Sequence, residues 1–389
     1  MRSEPNYNTI PVGQLGIIAL PGCEELANKI DNYLIRWRFQ RNSEHKDTLA
    51  FAGYEKSTYL INMDFPRFGT GEGKAALNQT VRGYDIYILC DVFNYGVTYK
   101  MYGITVPMSP DEHFANLKRA ISAIEGKAKR VSVIMPMLYE GRQHKRSSRE
   151  SLDCAMMLQE LHNMGVENFI TFDAHDPRVM NAIPLCGFES ISPAYQMIKA
   201  AVNNVDNLKI NKDNIMIISP DEGGMSRCIY YSTVLGVELG MFYKRRDFSR
   251  IVDGRNPIIA HEFLGDNVEG KDVIIVDDMI SSGESMIEVA TKLKELKAAR
   301  IYIFSAFGLF CNGFDAFDKA FQEGIIDRVF TTNLIYGTPE LLSKEWYVRV
   351  DMSKYLSYII DTLNHDTSIS DLLDPAEKIN TLLEKKGLK

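Results

Sequence analysis

Short continuous apolar runs alternate along most of the chain with stretches whose apolar residues recur at three- and four-residue spacing. The runs Leu15 to Leu20, Asp85 to Leu89, Val131 to Met135, Asn168 to Phe172, Asn214 to Ile218, Asp272 to Val276 and Arg300 to Phe304 read as strands. They are continuous rather than alternating, which predicts burial on both faces, the mark of a parallel sheet covered by helices. The helical spacing falls on Cys23 to Trp37, Glu112 to Ile124, Ser148 to Met164 and Ser285 to Lys297. The pattern predicts an α/β fold of mostly parallel sheets flanked by helices. Such sheets bind ligands beyond the carboxyl ends of their strands, so the polar loops that leave the strands are the places to look for chemistry.

With 389 residues the chain has room for two or three domains of ~150 residues each. No low-complexity linker marks a boundary. The similar content of the two halves predicts one α/β domain over 12–190, a second over 191–350 and a C-terminal helical tail over 351–389. Arg38 to Tyr59 and Gly96 to Asp111 are polar or turn-rich and read as enlarged loops of unassigned role.

Composition narrows the partners. Lys and Arg total 44 against 51 Asp and Glu, a net charge of -7, and that field repels a polyanion, so nucleic acid is not an expected partner. A small phosphorylated ligand needs only a few well-placed cations and stays open. The six cysteines, Cys23, Cys90, Cys154, Cys186, Cys228 and Cys311, show no metal-binding spacing. No basic leader precedes an apolar stretch at the N-terminus, and no window approaches ~20 apolar residues. A cytoplasmic protein with no membrane association is expected.

The most informative segment is Val273-Ile274-Ile275-Val276-Asp277-Asp278-Met279-Ile280-Ser281-Ser282-Gly283-Glu284-Ser285. An apolar strand leads into two acids and then, through small residues, into a helix. Unpaired N–H groups at a helix start, with the hydroxyls of Ser281, Ser282 and Ser285, suit a phosphate monoester, and Gly283 permits close approach of the backbone. Asp277 and Asp278 would repel that phosphate unless they accept hydrogen bonds from sugar hydroxyls or help to hold a metal ion. The alternative is a strand end followed by an ordinary serine N-cap.

This segment resembles the phosphoribosyl-diphosphate loop shared by type I phosphoribosyltransferases and ribose-phosphate pyrophosphokinases. Further segments resemble the pyrophosphokinases in order: Phe68-Gly69-Thr70-Gly71-Glu72, Tyr139-Glu140-Gly141-Arg142-Gln143, Asp173-Ala174-His175, Ser219-Pro220-Asp221-Glu222-Gly223-Gly224 and Tyr243-Lys244-Arg245-Arg246-Asp247. The resemblance runs from about Gly16 to Ser357. It implies two phosphoribosyltransferase-like domains and transfer of pyrophosphate from ATP to O1 of ribose 5-phosphate, giving phosphoribosyl diphosphate and AMP, with Mg2+ required.

By the same resemblance Arg142 and Gln143 bind ATP, and Phe68 and Glu72 contact its adenine, in the family at a site shared between subunits of a homo-oligomer. His175 and Asp221 stand at the metal. Asp277, Asp278, Ser281, Ser282, Gly283 and Ser285 hold ribose 5-phosphate, and Lys244 and Arg246, at the end of the strand-like Val237 to Tyr243, stabilise the transition state; Phe248 to Asn256, which follows with little regular pattern, reads as a mobile loop. Physical reasons run alongside: a guanidinium fork can take two phosphate oxygens at once, and phosphoryl transfer is promoted by positioning and by cations that neutralise developing charge. Read without its neighbours, Arg142 is also an exposed basic loop, and the Lys244 segment a solvated basic turn.

Departures from the family pattern fall at Ser281, often aspartate, and Glu284, usually small. Others are Ala174 and Asp176 around the histidine, Thr70 in the adenine segment, and the two enlarged loops. Gly69 to Ala75 mimics a Walker A loop, but Phe68 stands in place of its first glycine and Ala75 in place of its Ser or Thr. Two other readings compete: a non-catalytic regulatory homologue of the same family, and a phosphoribosyltransferase, which leaves the Arg142, His175 and Lys244 segments unexplained.

Overall fold

The computed structural model describes residues 9–41, 51–246 and 258–388, except for the side chains of 244–246 and 258–261. The chain forms two compact units, one of 1–192, 333–336 and 351–373, the other of 193–332, 337–350 and 374–389. In chain order the first unit carries β1 (Gln14–Ala19), α1 (Glu24–Arg41), β2 (Met63–Asp64), β3 (Ala76–Leu77), β4 (Tyr84–Leu89), β5 (Thr98–Met101), β6 (Ile104–Pro107), α2 (Pro110–Ile124), β7 (Arg130–Ile134), α3 (Asp153–Asn163), β8 (Asn168–Phe172) and β9 (Gly187–Ile191). Its main sheet has the order β1-β4-β7-β8-β9, every pair parallel. Ile86, Ile88, Val133 and Phe169 are fully buried with Leu117 and Ala120 of α2 and Cys154 and Leu158 of α3. The continuous apolar runs are therefore strands covered by helices, and α2 begins at a capping box in which Ser109 and Glu112 satisfy one another's backbone N–H.

The second unit continues with α4 (Ala194–Asn204), β10 (Ile215–Ser219), α5 (Met225–Leu235), β11 (Glu238–Arg246), β12 (Ile258–Leu264), β13 (Asp272–Ile280), α6 (Glu284–Glu295), β14 (Ile301–Gly308), α7 (Asp315–Gln322), β15 (Arg328–Thr332), α8 (Pro339–Ser343) and β16 (Tyr347–Val350). The sheet order is β12-β11-β10-β13-β14-β15-β16, parallel except for the antiparallel edge strand β12.

The C-terminal stretch, read from the sequence as one helical tail, is divided between the units. Helices α9 (Ser353–Asn364) and α10 (Ser370–Leu373) belong to the first, and α11 (Ala376–Lys385) belongs to the second. Asp361 of α9 lies fully buried under Arg38 and Arg41 of α1, with Arg38 Nε and Nη2 donating to its Oδ1 at 3.1 and 2.9 Å. The segment expected as a loop from Arg38 thus begins as the last turn of α1, held by buried charge pairs whose hydrogen bonds offset part of their desolvation. The other expected loop, from Gly96 to Asp111, is the β5–β6 hairpin followed by the start of α2.

Candidate active site

In the second unit three neighbouring strands, β11, β10 and β13, present the expected residues beyond their shared parallel register. That register ends at Ser219↔Met241 on one side of β10 and Ile218↔Ile275 on the other. The loop after β10 carries Asp221, β11 runs on to Lys244 and Arg246, and β13 runs on through Asp277 and Asp278. The sequence reading ended β13 at Val276, but pairing with β14 persists to Ile280↔Gly308. Burial is continuous as far as Val276 and alternates from Asp277 onward, so both acids stand on a rigid strand.

The carboxylate pair is electrostatically tense. Asp278 is buried and its amide donates to Asp277 Oδ1 at 2.8 Å. Burial, then the negative charge of Asp278, push the Asp277 carboxyl well above the usual carboxylate range. Arg227 of α5 opposes this with its Nη1 3.7 Å from Asp277 Oδ1. Arg227 was missed in the sequence, although a cation in the first turn of a helix opposes the helix dipole and so hints at a partner elsewhere.

The segment expected to cradle a phosphate follows. Helix α6 starts at Glu284 with Gly283 as its N-cap and no side-chain cap, although Ser282 Oγ accepts from the Glu284 amide at 3.4 Å. Gly283 has φ +84°, and a Cβ there would lie 2.2 Å from the Phe317 ring. Gly283→Ala is therefore expected to lower stability by about 2–3 kcal/mol, read as a fall in urea midpoint at unchanged m-value. Glu284 is turned toward Asn312, whose Nδ2 donates to Oε1 at 3.2 Å. The Cys311 amide donates to the Ser281 carbonyl at 2.8 Å, so the segment after β14 braces the cradle.

In the first unit the loops after the adjacent strands β7 and β8 carry Arg142, Gln143 and His175, all exposed. His144, not singled out in the sequence, sets its ring 5.2 Å from that of His175, centroid to centroid. Burial first, and His175 next, lower the His144 pKa. Asp176 caps the 3-10 turn Pro177–Ala182 and pairs with Arg178. Phe68 and Glu72 lie on an exposed turn in which the Phe68 amide donates to the Glu72 carbonyl at 2.8 Å. Lys244 and Arg246 are placed here by backbone only, and the loop expected over 248–256 lies outside the described residues.

Among the described residues no group of three or more His, Cys, Asp and Glu side chains is arranged to hold a metal ion. Asp221 Oδ1 accepts from the amides of Gly223 and Gly224 at 2.9 and 3.2 Å, which commits one of its oxygens to its own loop. Magnesium keeps several waters and is commonly held by one or two protein groups plus substrate phosphates. His175, on a loop of the first unit, is exposed, and Asp221, on a loop of the second, is half-buried; each by itself offers a donor of the kind such an ion takes.

Family profiles described as the N-terminal domain of ribose phosphate pyrophosphokinase, the phosphoribosyl transferase domain and the phosphoribosyl synthetase-associated domain match residues 15–165, 188–308 and 250–374. The chain is 26% identical over 313 residues to a ribose-phosphate pyrophosphokinase of Vibrio parahaemolyticus, covering 79% of this chain and 90% of that relative. It is 27% identical over 307 residues to one of Shewanella oneidensis, covering 78% and 88%. The crystal structure of phosphoribosylpyrophosphate synthetase from Mycobacterium smegmatis shares the fold, with a TM-score of 0.71 at 18% identity over 91% of this chain and 99% of that one.

Proposed function

The chain belongs to the ribose-phosphate pyrophosphokinase family, with two phosphoribosyltransferase-type α/β units, and from this we propose that it is a working enzyme that uses ATP. O1 of ribose 5-phosphate attacks the β-phosphorus of ATP, the bond from that phosphorus to the AMP oxygen breaks and leaves its electron pair on AMP, and the O1 proton passes to solvent water. The products are 5-phosphoribosyl 1-diphosphate and AMP. Asp277 and Asp278 accept from the ribose diol, while Ser281, Ser282, Gly283 and Ser285 surround the 5-phosphate. Lys244 and Arg246 meet the transferring group, and Arg142 and Gln143 hold the nucleotide phosphates. His175 and Asp221 would hold Mg2+ brought in with ATP, and the ion would supply positive charge that offsets the phosphate oxygens the sugar hydroxyl approaches. Phe68 and Glu72 contact adenine at a site shared between copies of the chain in a homo-oligomer. The protein works in the cytoplasm; among the described residues no helix is long and apolar enough to cross a membrane.

The observation that carries this reading is the convergence of Asp221, the Lys244–Arg246 stretch and the Asp277–Ser285 segment beyond three adjacent strands of one sheet. The test is to incubate the purified protein with ATP, ribose 5-phosphate and magnesium and to measure AMP and phosphoribosyl diphosphate. Equal amounts of the two products are expected. Nucleotide binding with neither product formed would favour the regulatory homologue.

A further inference from the structure

We propose that Tyr102, at the tip of the β5–β6 hairpin, is a second aromatic contact for the nucleobase beside Phe68. This rests on the reading that the Phe68–Glu72 turn faces adenine. The hairpin is joined to that turn at several points. The Tyr102 amide donates to the Gly69 carbonyl at 2.8 Å. A Cβ on Gly71, which has φ +91°, would lie 2.8 Å from Met101 Sδ, so glycine lets hairpin and turn close on each other. Arg67 ties the two from below: its Nη1 donates to the Gly71 carbonyl at 3.0 Å, and its guanidinium lies 4.8 Å from the Tyr99 ring centroid. Tyr99 in turn hydrogen-bonds Glu112 of α2.

Tyr102 is conspicuous in this setting. The register Met101↔Ile104 leaves a two-residue turn, with φ 47° at Tyr102 and 80° at Gly103. Both values are positive, as in the type I′ turn that favours Asn-Gly, and a bulky residue in the first position is strained there. The ring gains no burial in exchange, since Tyr102 is 77% exposed and Phe68, on the attached turn, is 53% exposed. Strain held without a packing gain points to a role outside the fold. Within the turn, Thr70 Oγ1 donates to Glu72 Oε2 at 2.9 Å, so the polar side chains there engage each other. Beside the Glu72 contact, aromatic faces are a further means of gripping a base, and stacking of this kind tolerates different bases.

The experiment measures MgATP affinity by titration calorimetry on the full-length protein, with thermal melts, for wild type, Tyr102→Asn, Tyr102→Phe and Phe68→Ala. Asparagine accepts the left-handed conformation, so the turn is kept while the ring is lost. The expected result is MgATP affinity about tenfold weaker in Tyr102→Asn and in Phe68→Ala. Tyr102→Phe should match wild type, and Tyr102→Asn should melt no lower than wild type. Unchanged affinity in Tyr102→Asn, with Phe68→Ala weakened, overturns the role of Tyr102 and leaves the adenine placement standing. Unchanged affinity in both overturns the placement too. A lower melting temperature together with weaker binding in Tyr102→Asn would make the residue a scaffold element and also overturn the proposal.

Discussion

Replacing Lys244 by alanine is expected to lower kcat by about a thousandfold while leaving the KM for ATP and for ribose 5-phosphate within about threefold of wild type. In transfer of a phosphoryl-type group the bonds are loosely made in the transition state, and negative charge spreads over the equatorial and leaving oxygens. A cation aimed at that charge contributes little while the charge is still on intact ATP, so its loss falls on kcat. The strand geometry supports the assignment to Lys244: β11 is hydrogen-bonded to β10 up to Met241, and Lys244 lies three residues further along the same strand. The Asp221 loop leaves the same end of β10. Steady-state kinetics with each substrate varied in turn checks the split, and a rise in KM at constant kcat would make Lys244 a ground-state ligand instead.

The parts of the fold legible in the sequence were those where one physical signal dominates. Asn168–Phe172 is buried from Phe169 onward, which favours aromatic and β-branched residues, and its bounds are those the sequence predicts. Less legible were elements whose ends depend on distant parts of the chain. The last turn of α1 carries Arg38 and Arg41, which look like solvent-facing loop residues until Asp361, more than three hundred positions later, arrives to pair with them. The same holds for α9, which packs in the first unit although it lies in the last tenth of the sequence. No local periodicity carries such information.

The site divides along a similar line. The acids, serines and Gly283 form one short run whose order announces strand, cradle and helix, and the structure puts them on β13 and at the start of α6. Arg227 and His144 are single residues whose meaning comes from what they face, Asp277 and His175, across loops far apart in sequence. The hairpin around Tyr102 was visible only as polar excess. Its attachment to Gly69 and Gly71 is a tertiary fact carried by a backbone hydrogen bond, a close approach and the bridging Arg67 side chain.

Replacing both Asp277 and Asp278 by asparagine is expected to raise the KM for ribose 5-phosphate about fiftyfold, with the KM for ATP changed by less than about threefold, because two charge-assisted hydrogen bonds to the diol become neutral ones. The same pair makes a stability prediction of opposite sign. Burial and the neighbouring acid raise the Asp277 pKa in the folded protein above its unfolded value. A group shifted in that direction contributes its full stability only below the unfolded pKa of about 3.9 and loses it as pH rises through the folded value. Asp277→Asn removes this penalty, so the variant should melt above wild type near neutral pH, and the gap should close as pH falls toward about 4. Melting curves over that range in the absence of substrate check the sign. Both effects have one origin, since a carboxylate held ready for sugar hydroxyls while the sugar is away is desolvated without its intended donors. A variant that binds ribose 5-phosphate poorly and yet is more stable at neutral pH would mark Asp277 as a residue kept for binding, whereas lower stability at every pH would make it a structural partner of Arg227.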